Sequence, residues 1–325
     1  MASLKDIADR VGISKAAVSR ILNGKGSFSR DTIYKVEKAA RELNYTLPSM
    51  AAEENNNSAN TIGLIVPLSH IPYFGVLSSR IEAAAYDYGY GLLLCSSAYE
   101  HLNSEEFAAW LRRHRVSGLI VGVMLNHPAE LTDLGLPVVS AGLEIAPEIP
   151  SVSADNLSMG RIAARHLLSR GCKNLLYISN SNSGLKNDHR YRGFYQELEK
   201  NQLVAWPTIL ADDHNDSRAI KEMITETLMD HPEADGIFAE SQTLALECVR
   251  TLQDLGYRIP EEIKVIGCGS PYFGSYAVPR LTILEENTDL IAKKTVSLLA
   301  DLIEGGHPTN DHLTVPVSLQ INQTT

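Results

Sequence analysis

Residues 3–45 read SLKDIADRVGISKAAVSRILNGKGSFSRDTIYKVEKAARELNY, and the apolar spacing in this stretch sets the architecture of the head of the chain. Leu4, Ile7, Ala8 and Val11 recur at i, i+3, i+4 and i+7, the stripe of a short amphipathic helix, and Gly12 breaks it. Ser14 can cap a second helix, with Ile13 and Val18 at staple spacing across the cap. That helix buries Val18, Ile21 and Leu22 and stops at Asn23-Gly24-Lys25-Gly26. A third helix is predicted from Arg30 to Leu43, burying Ile33, Val36, Ala40 and Leu43. With its apolar residues inward, the second helix exposes Lys15, Ala16, Ser19, Arg20 and Asn23. Such a face fits a DNA major groove, where Arg or Lys grips guanine, Asn grips adenine or a phosphate, and Ser takes a phosphate. An ordinary solvated helix in an all-α cap would show the same periodicity, so pattern alone leaves both readings open.

Charge bears on this choice without deciding it, since an excess of four in fifty residues is modest. The 325 residues carry a formal net charge of −10, which for the whole chain argues against nucleic acid. Residues 1–50, however, hold nine Lys/Arg against five Asp/Glu, a net of +4. The remainder holds 20 against 34, a net of −14. A basic head on an acidic body suggests that only the head meets a polyanion.

Beyond the head, EENNNSAN (residues 53–60) has no apolar residue larger than Ala and reads as a linker. From Thr61 onward short apolar runs alternate with helical stretches. The runs are Ile62–Val66, Leu92–Cys95, Leu119–Val121, Val138–Val139, Leu175–Ile178, Ile237–Ala239 and Val265–Ile266; the helices lie near 75–88, 104–114, 158–170, 190–201, 216–229 and 241–255. Repeated β–α alternation predicts parallel sheets covered by helices. A stretch of this length exceeds what one sheet usually needs, so two lobes are expected, with a ligand at the carboxyl ends of the strands.

Several classes are disfavoured by what the residues lack. No apolar run reaches the ~18 residues of a membrane span, and Lys5, Asp6, Asp9, Arg10, Lys15 and Arg20 interrupt any signal-peptide core, so a cytoplasmic protein is expected. Cys95, Cys172, Cys248 and Cys268 form no C-x-x-C pair and read as small buried apolar residues. Gly267-x-Gly269 lacks dinucleotide spacing and reads as a strand-end turn. His101, His114, His307 and His312 lack metal spacing, and no nucleophile elbow, zinc-protease motif or phosphate loop occurs, so no enzyme, cofactor or metal is expected.

Together these residues resemble the DNA-binding head of the lactose-repressor (LacI/GalR) family of bacterial regulators. The marks are Asp6-Ile7-Ala8, Val11-Gly12-Ile13-Ser14, Ala17-Val18-Ser19-Arg20, Leu22-Asn23 and Leu43-Asn44-Tyr45. The likeness continues through Asp155-Asn156, Gly160–Gly171, Arg190 with Gly193-Phe194, Ile259-Pro260, Val265-Ile266-Gly267 and Leu281-Thr282. It implies an α/β protein: a three-helix helix–turn–helix head (1–46), a hinge (47–60) and a two-lobed sensor similar to periplasmic binding proteins (61–325). It also implies a homodimer on a palindromic operator, governed by a sugar or phosphosugar between the lobes. A regulator answering instead to a phosphoprotein is the alternative within the family.

Carried over residue by residue, the candidate DNA contacts are Lys5, Ser14, Lys15, Ala16, Ser19, Arg20, Asn23 and Met50. The candidate effector contacts are Tyr73, Phe74, Lys186, Arg190 and Glu240. The sequence departs from the family at Gly142, Glu240-Ser241 and Gly269-Ser270, where relatives carry acids or amides, so a larger or less acidic pocket is expected. It departs again in the hinge. The leucine that relatives wedge into the minor groove is replaced by Glu54 or Asn55, leaving Met50 as the only large apolar candidate in 49–60. A weakly ordered hinge follows.

Overall fold

The computed structural model describes residues 4–22, 28–43, 61–67, 72–95, 105–123, 128–179, 188–209, 217–307 and 311–325. The chain divides into two compact units, Met1–Ala59 and Asn60–Thr325.

The first unit contains α1 (Leu4–Val11), α2 (Lys15–Leu22) and α3 (Arg30–Glu42). Gly12 ends α1 in the left-handed region at φ +76°, and its N–H reaches back to the Ala8 carbonyl at 2.9 Å. Ser14 Oγ accepts the Ala17 N–H at 3.2 Å and so caps α2. Ser29 Oγ does the same for Thr32 at the start of α3. Ile7, Ala8, Val18, Ile21, Val36, Ala39 and Ala40 close the small core, with Ile33, Leu22 and Leu43 half-buried against it.

In the second unit two six-stranded sheets form among the described residues. The first contains β1 (Thr61–Ile65), β2 (Gly91–Cys95), β3 (Val116–Val121), β4 (Val138–Ala141), β5 (Ser151–Ala154) and β11 (His312–Val315). Its order is β11-β5-β4-β3-β1-β2, parallel throughout. The second contains β6 (Leu175–Ser179), β7 (Ala205–Ile209), β8 (Gly236–Ala239), β9 (Lys264–Gly269), β10 (Thr282–Glu286) and β12 (Val317–Gln320). Its order is β12-β10-β9-β8-β6-β7, with only β12 antiparallel. Central strands such as Leu175–Ser179 and Gly236–Ala239 are buried at every residue because helices cover both faces. The edge strand β12 alternates between half-buried and exposed residues.

The chain passes between the sheets three times. After β5 it enters α6 (Asn156–Ser169), capped by Asp155. After β10 it enters α11 (Thr288–Ile303), capped by Asn287, which packs back on β3, β4 and β5. After β11 it passes directly into β12. Asp155 N–H meets the Val315 carbonyl at 2.9 Å, so the first and third crossings are tied.

Gly267 lies within β9 and Gly269 closes it at φ +146°, where the chain turns into the short helix Pro271–Gly274. All four cysteines are free and buried; burial is the main cause that pushes Cys172 up to about 11 and Cys268 up to about 12. No helix among the described residues is long and apolar enough to cross a membrane.

Candidate functional site

In the head, Lys5, Ser14, Lys15, Ala16 and Arg20 are exposed, and Ser19 is half-buried. The Ser14 oxygen is occupied as a cap, but its hydroxyl proton can still be donated. Lys15, Ala16, Ser19 and Arg20 share α2, opposite the buried Val18 and Ile21. Asn23 and Met50 lie outside the described residues, as do the hinge and Lys186.

In the second unit, polar side chains collect where strands end. Sheet order reverses between β6 and β8, with β7 on one side and β9 on the other. Such a switch point opens a crevice beyond the carboxyl ends of the strands. Ser179 closes β6 and Glu240 follows β8; the Ser179 hydroxyl donates to Glu240 Oε2 across this gap. Glu286 closes β10, and Gln242 opens α9 (Gln242–Asp254) behind its cap, Ser241.

Arg190 lies at the centre. It sits on the first turn of α7 (His189–Lys200), whose start is fixed by Asp188: one carboxylate oxygen takes the N–H groups of Arg190 and Tyr191 at 2.9 and 3.1 Å. The other oxygen accepts the Tyr177 hydroxyl, and burial, then the Asp188 charge, holds that phenol well above its ordinary range.

The helix reaches this position because α6 and α7 cross in near backbone contact. A Cβ on Gly160 would fall 1.9 Å from the Arg190 carbonyl oxygen, and one on Gly193 would fall 2.0 Å from that of Leu157. Arg190 Nε then donates to Asn156 Oδ1 at 2.7 Å, Nη1 to the Glu240 carbonyl, and Nη2 to Glu286 Oε1 at 2.6 Å. Asn156 and Glu286 stand at two of the three inter-sheet crossings, so one guanidinium ties both. Burial opposes its charge; Glu286 foremost outweighs it and raises the pKa.

Tyr73 and Phe74 open α4 (Pro72–Asp87) and pack edge to face, with ring centroids 5.2 Å apart. The Tyr73 hydroxyl faces the Gly142 position, where an added Cβ would sit 2.7 Å away. Burial and then the Glu286 charge hold this phenol above its ordinary range. Among the expected effector residues, Tyr73, Arg190 and Glu240 therefore converge, and Phe74 lies against Tyr73.

At two positions where the sequence departs from the family, neighbouring side chains occupy the space beside a glycine. The space left by Gly142 is taken up by Tyr73, and that at Gly269 by Gln242, whose Oε1 would lie 2.7 Å from an added Cβ. Asp188 and Glu286 bring two further carboxylates to the cluster. Sequence reasoning missed Asp188, Asn156, Gln242 and Glu286 as parts of this cluster. The available signals were Asn156 beside the family mark Asp155 and the acidic end of the apolar run Thr282–Glu286.

Residues 3–48 match the family described as bacterial regulatory proteins, lacI family, and residues 164–325 match a periplasmic binding protein-like domain. Over its whole length the chain is 30% identical to the ribose operon repressor of Halalkalibacterium halodurans, covering 97% of that protein. A periplasmic binding protein/LacI transcriptional regulator from Alkaliphilus metalliredigens, solved with D-xylulofuranose, matches 82% of this chain and 99% of its own at 28% identity and TM-score 0.73. The Lac repressor bound to ONPG in its repressed state shares the fold, with TM-score 0.76 at 22% identity over 100% of this chain and 99% of that one.

Proposed function

Because this chain belongs to the lacI family of bacterial regulatory proteins, we propose that it represses carbohydrate genes by binding operator DNA under the control of a small carbohydrate. The relatives supply the class: a ribose operon repressor and sucrose operon repressors from Streptococcus mutans and Pediococcus pentosaceus align along nearly the whole chain. One observation supports the control. Arg190 joins residues at two inter-sheet crossings and sits at the strand-end crevice. A ligand bonding there would favour one lobe geometry over another, and linkage would carry the preference to the head.

In this reading Arg20 and Lys15 contact base edges or phosphates, Ala16 meets a thymine methyl, and Lys5, Ser14, Ser19 and Asn23 steady the docking. Two copies would place two such helices on a roughly palindromic site. Exposed apolar residues at two places, Tyr86, Tyr88 and Leu94 in one and Tyr272, Tyr276 and Val278 in the other, are consistent with surfaces that a second copy covers. The division into a head (1–46), a hinge (47–60) and a sensor (61–325) belongs to the same proposal.

The test is DNA binding with and without ligand. Operator fragments selected from random DNA should bind the full chain, and the affinity should shift by about 5- to 150-fold with a carbohydrate that binds the sensor. An Arg190→Ala chain should bind the same DNA and not respond. Normal response in that variant would remove Arg190 from the site.

A further inference from the structure

Resting on the effector reading above, we propose that the sensor takes an uncharged, hydroxyl-rich carbohydrate and rejects its phosphate ester, with Glu286 as the residue that sets this choice. An arginine in a family effector position would by itself suit a phosphate or carboxylate. Here its charge is already matched. Glu286 Oε1 holds Nη2 at 2.6 Å, and the Glu286 side chain is only 5% exposed. An anion reaching the guanidinium would have to displace a buried carboxylate or sit beside it, and like charges brought together in a desolvated site cost several-fold to hundreds-fold in affinity.

The surroundings do not reverse this balance. The Glu286 and Glu240 carboxylates both act on the Arg190 charge, and Asp188 caps the turn of α7 that carries it.

The unmatched atoms point to the complementary ligand. Gln242 Nε2 is buried and donates no hydrogen bond, and the Glu286 carboxylate, with Arg190 on Oε1 and the Tyr73 hydroxyl bonding toward it, keeps Oε2 buried without a partner of good geometry. Gln242 Oε1 is spoken for by the Ser270 N–H at 3.0 Å, which fixes the amide with its donor end spare. A buried acceptor and a buried donor without partners are expensive unless something supplies them. A hydroxyl, which both donates and accepts, meets either need; a phosphate oxygen at neutral pH cannot donate to a carboxylate.

The experiment is calorimetric titration of the purified full chain with matched pairs: D-ribose and D-ribose 5-phosphate, D-xylulose and D-xylulose 5-phosphate, sucrose and sucrose 6-phosphate, and inorganic phosphate alone. The wild type should bind the neutral member of at least one pair, with its phosphate about 100-fold weaker. Glu286→Gln keeps an acceptor for Arg190 Nη2 and removes the charge. It should bind the neutral sugar about tenfold more weakly and narrow the gap to the phosphate by a similar factor. A melting curve like that of the wild type establishes that the variant is folded; should it not be, Gln242→Ala serves instead, with loss of neutral-sugar affinity expected. A phosphate ester that binds the wild type as tightly as its neutral partner overturns the charge assignment while leaving the effector reading intact. A gap unchanged in folded Glu286→Gln removes Glu286 as its cause. If no sugar or ester binds at all, the carbohydrate-effector reading fails, and this inference with it.

Discussion

At the residue scale, the two positions that matter most differ in how they could be found. Arg190 is legible from its place three residues before Gly193 in a family pattern. Glu286 is not, because its partner lies 96 positions away and only the sheet order brings β10 beside that site. Periodicity reports which face of an element is buried and says nothing about which strand ends meet. The departures at Gly142 and Gly269 are visible in the sequence, but the groups beside them, Tyr73 and Gln242, are not, since they come from other segments. In the head the relation is simpler: the contacts that fold α2 are local, so burial of Val18 and Ile21 already exposes Arg20. Arg20→Ala should cost about 1–3 kcal/mol of operator affinity and relax preference at one base pair per half-site, read by competition between operator variants. A variant with wild-type affinity and preference would take Arg20 out of the groove. Gly142→Ala should lower sensor stability by about 1–3 kcal/mol in a denaturant melt, since the position combines φ +86° with a Cβ that collides with the Tyr73 hydroxyl.

At the scale of elements, the α6–α7 crossing carries the site. Only glycine at 160 and 193 lets the two backbones approach closely enough for Arg190 to meet Asn156. A methyl group at 160 would collide with main-chain atoms rather than a movable side chain, so the helices must separate. Gly160→Ala should therefore destabilise the sensor by about 3 kcal/mol and abolish the DNA response to ligand; an unchanged unfolding midpoint would contradict the crossing as described. The sequence reading locates β1 to β4, β6, β8 and β9 from their apolar runs. It passes over Ser151–Ala154, Ala205–Ile209, Thr282–Glu286, His312–Val315 and Val317–Gln320, where Ser, Pro, Glu, His or Gln shortens or interrupts the run, at buried positions such as Ser151 as well as on edge strands. The hinge expectation falls on residues outside those described. We propose that Glu54 weakens minor-groove insertion, so that Glu54→Leu tightens operator binding and enlarges the DNA bend measured by circular permutation. A strong wild-type bend lost in Met50→Ala would favour Met50 as the wedge instead.

At the scale of the whole molecule, charge and apolar surface assign different partners to the two units. The +4 head and −14 remainder predict that DNA affinity falls steeply with salt and that residues 61–325 alone do not shift a DNA probe. The exposed Tyr86, Tyr88 and Leu94, with Tyr272, Tyr276 and Val278, predict a dimer by mass measurement, and Tyr276→Glu should weaken it; a monomer at micromolar concentration would leave the palindrome reading unsupported. These features join in one claim, that ligand at the Arg190–Glu286 cluster governs the head. The most direct measurement is fluorescence anisotropy of labelled operator titrated with the full chain, with and without a saturating neutral sugar found by calorimetry. Operator affinity should shift at least about 5-fold for the wild type, and not at all for an Arg190→Ala chain whose ligand-free affinity is unchanged. An operator affinity that stays the same when the wild-type sensor is saturated, or that shifts equally in Arg190→Ala, would contradict that claim.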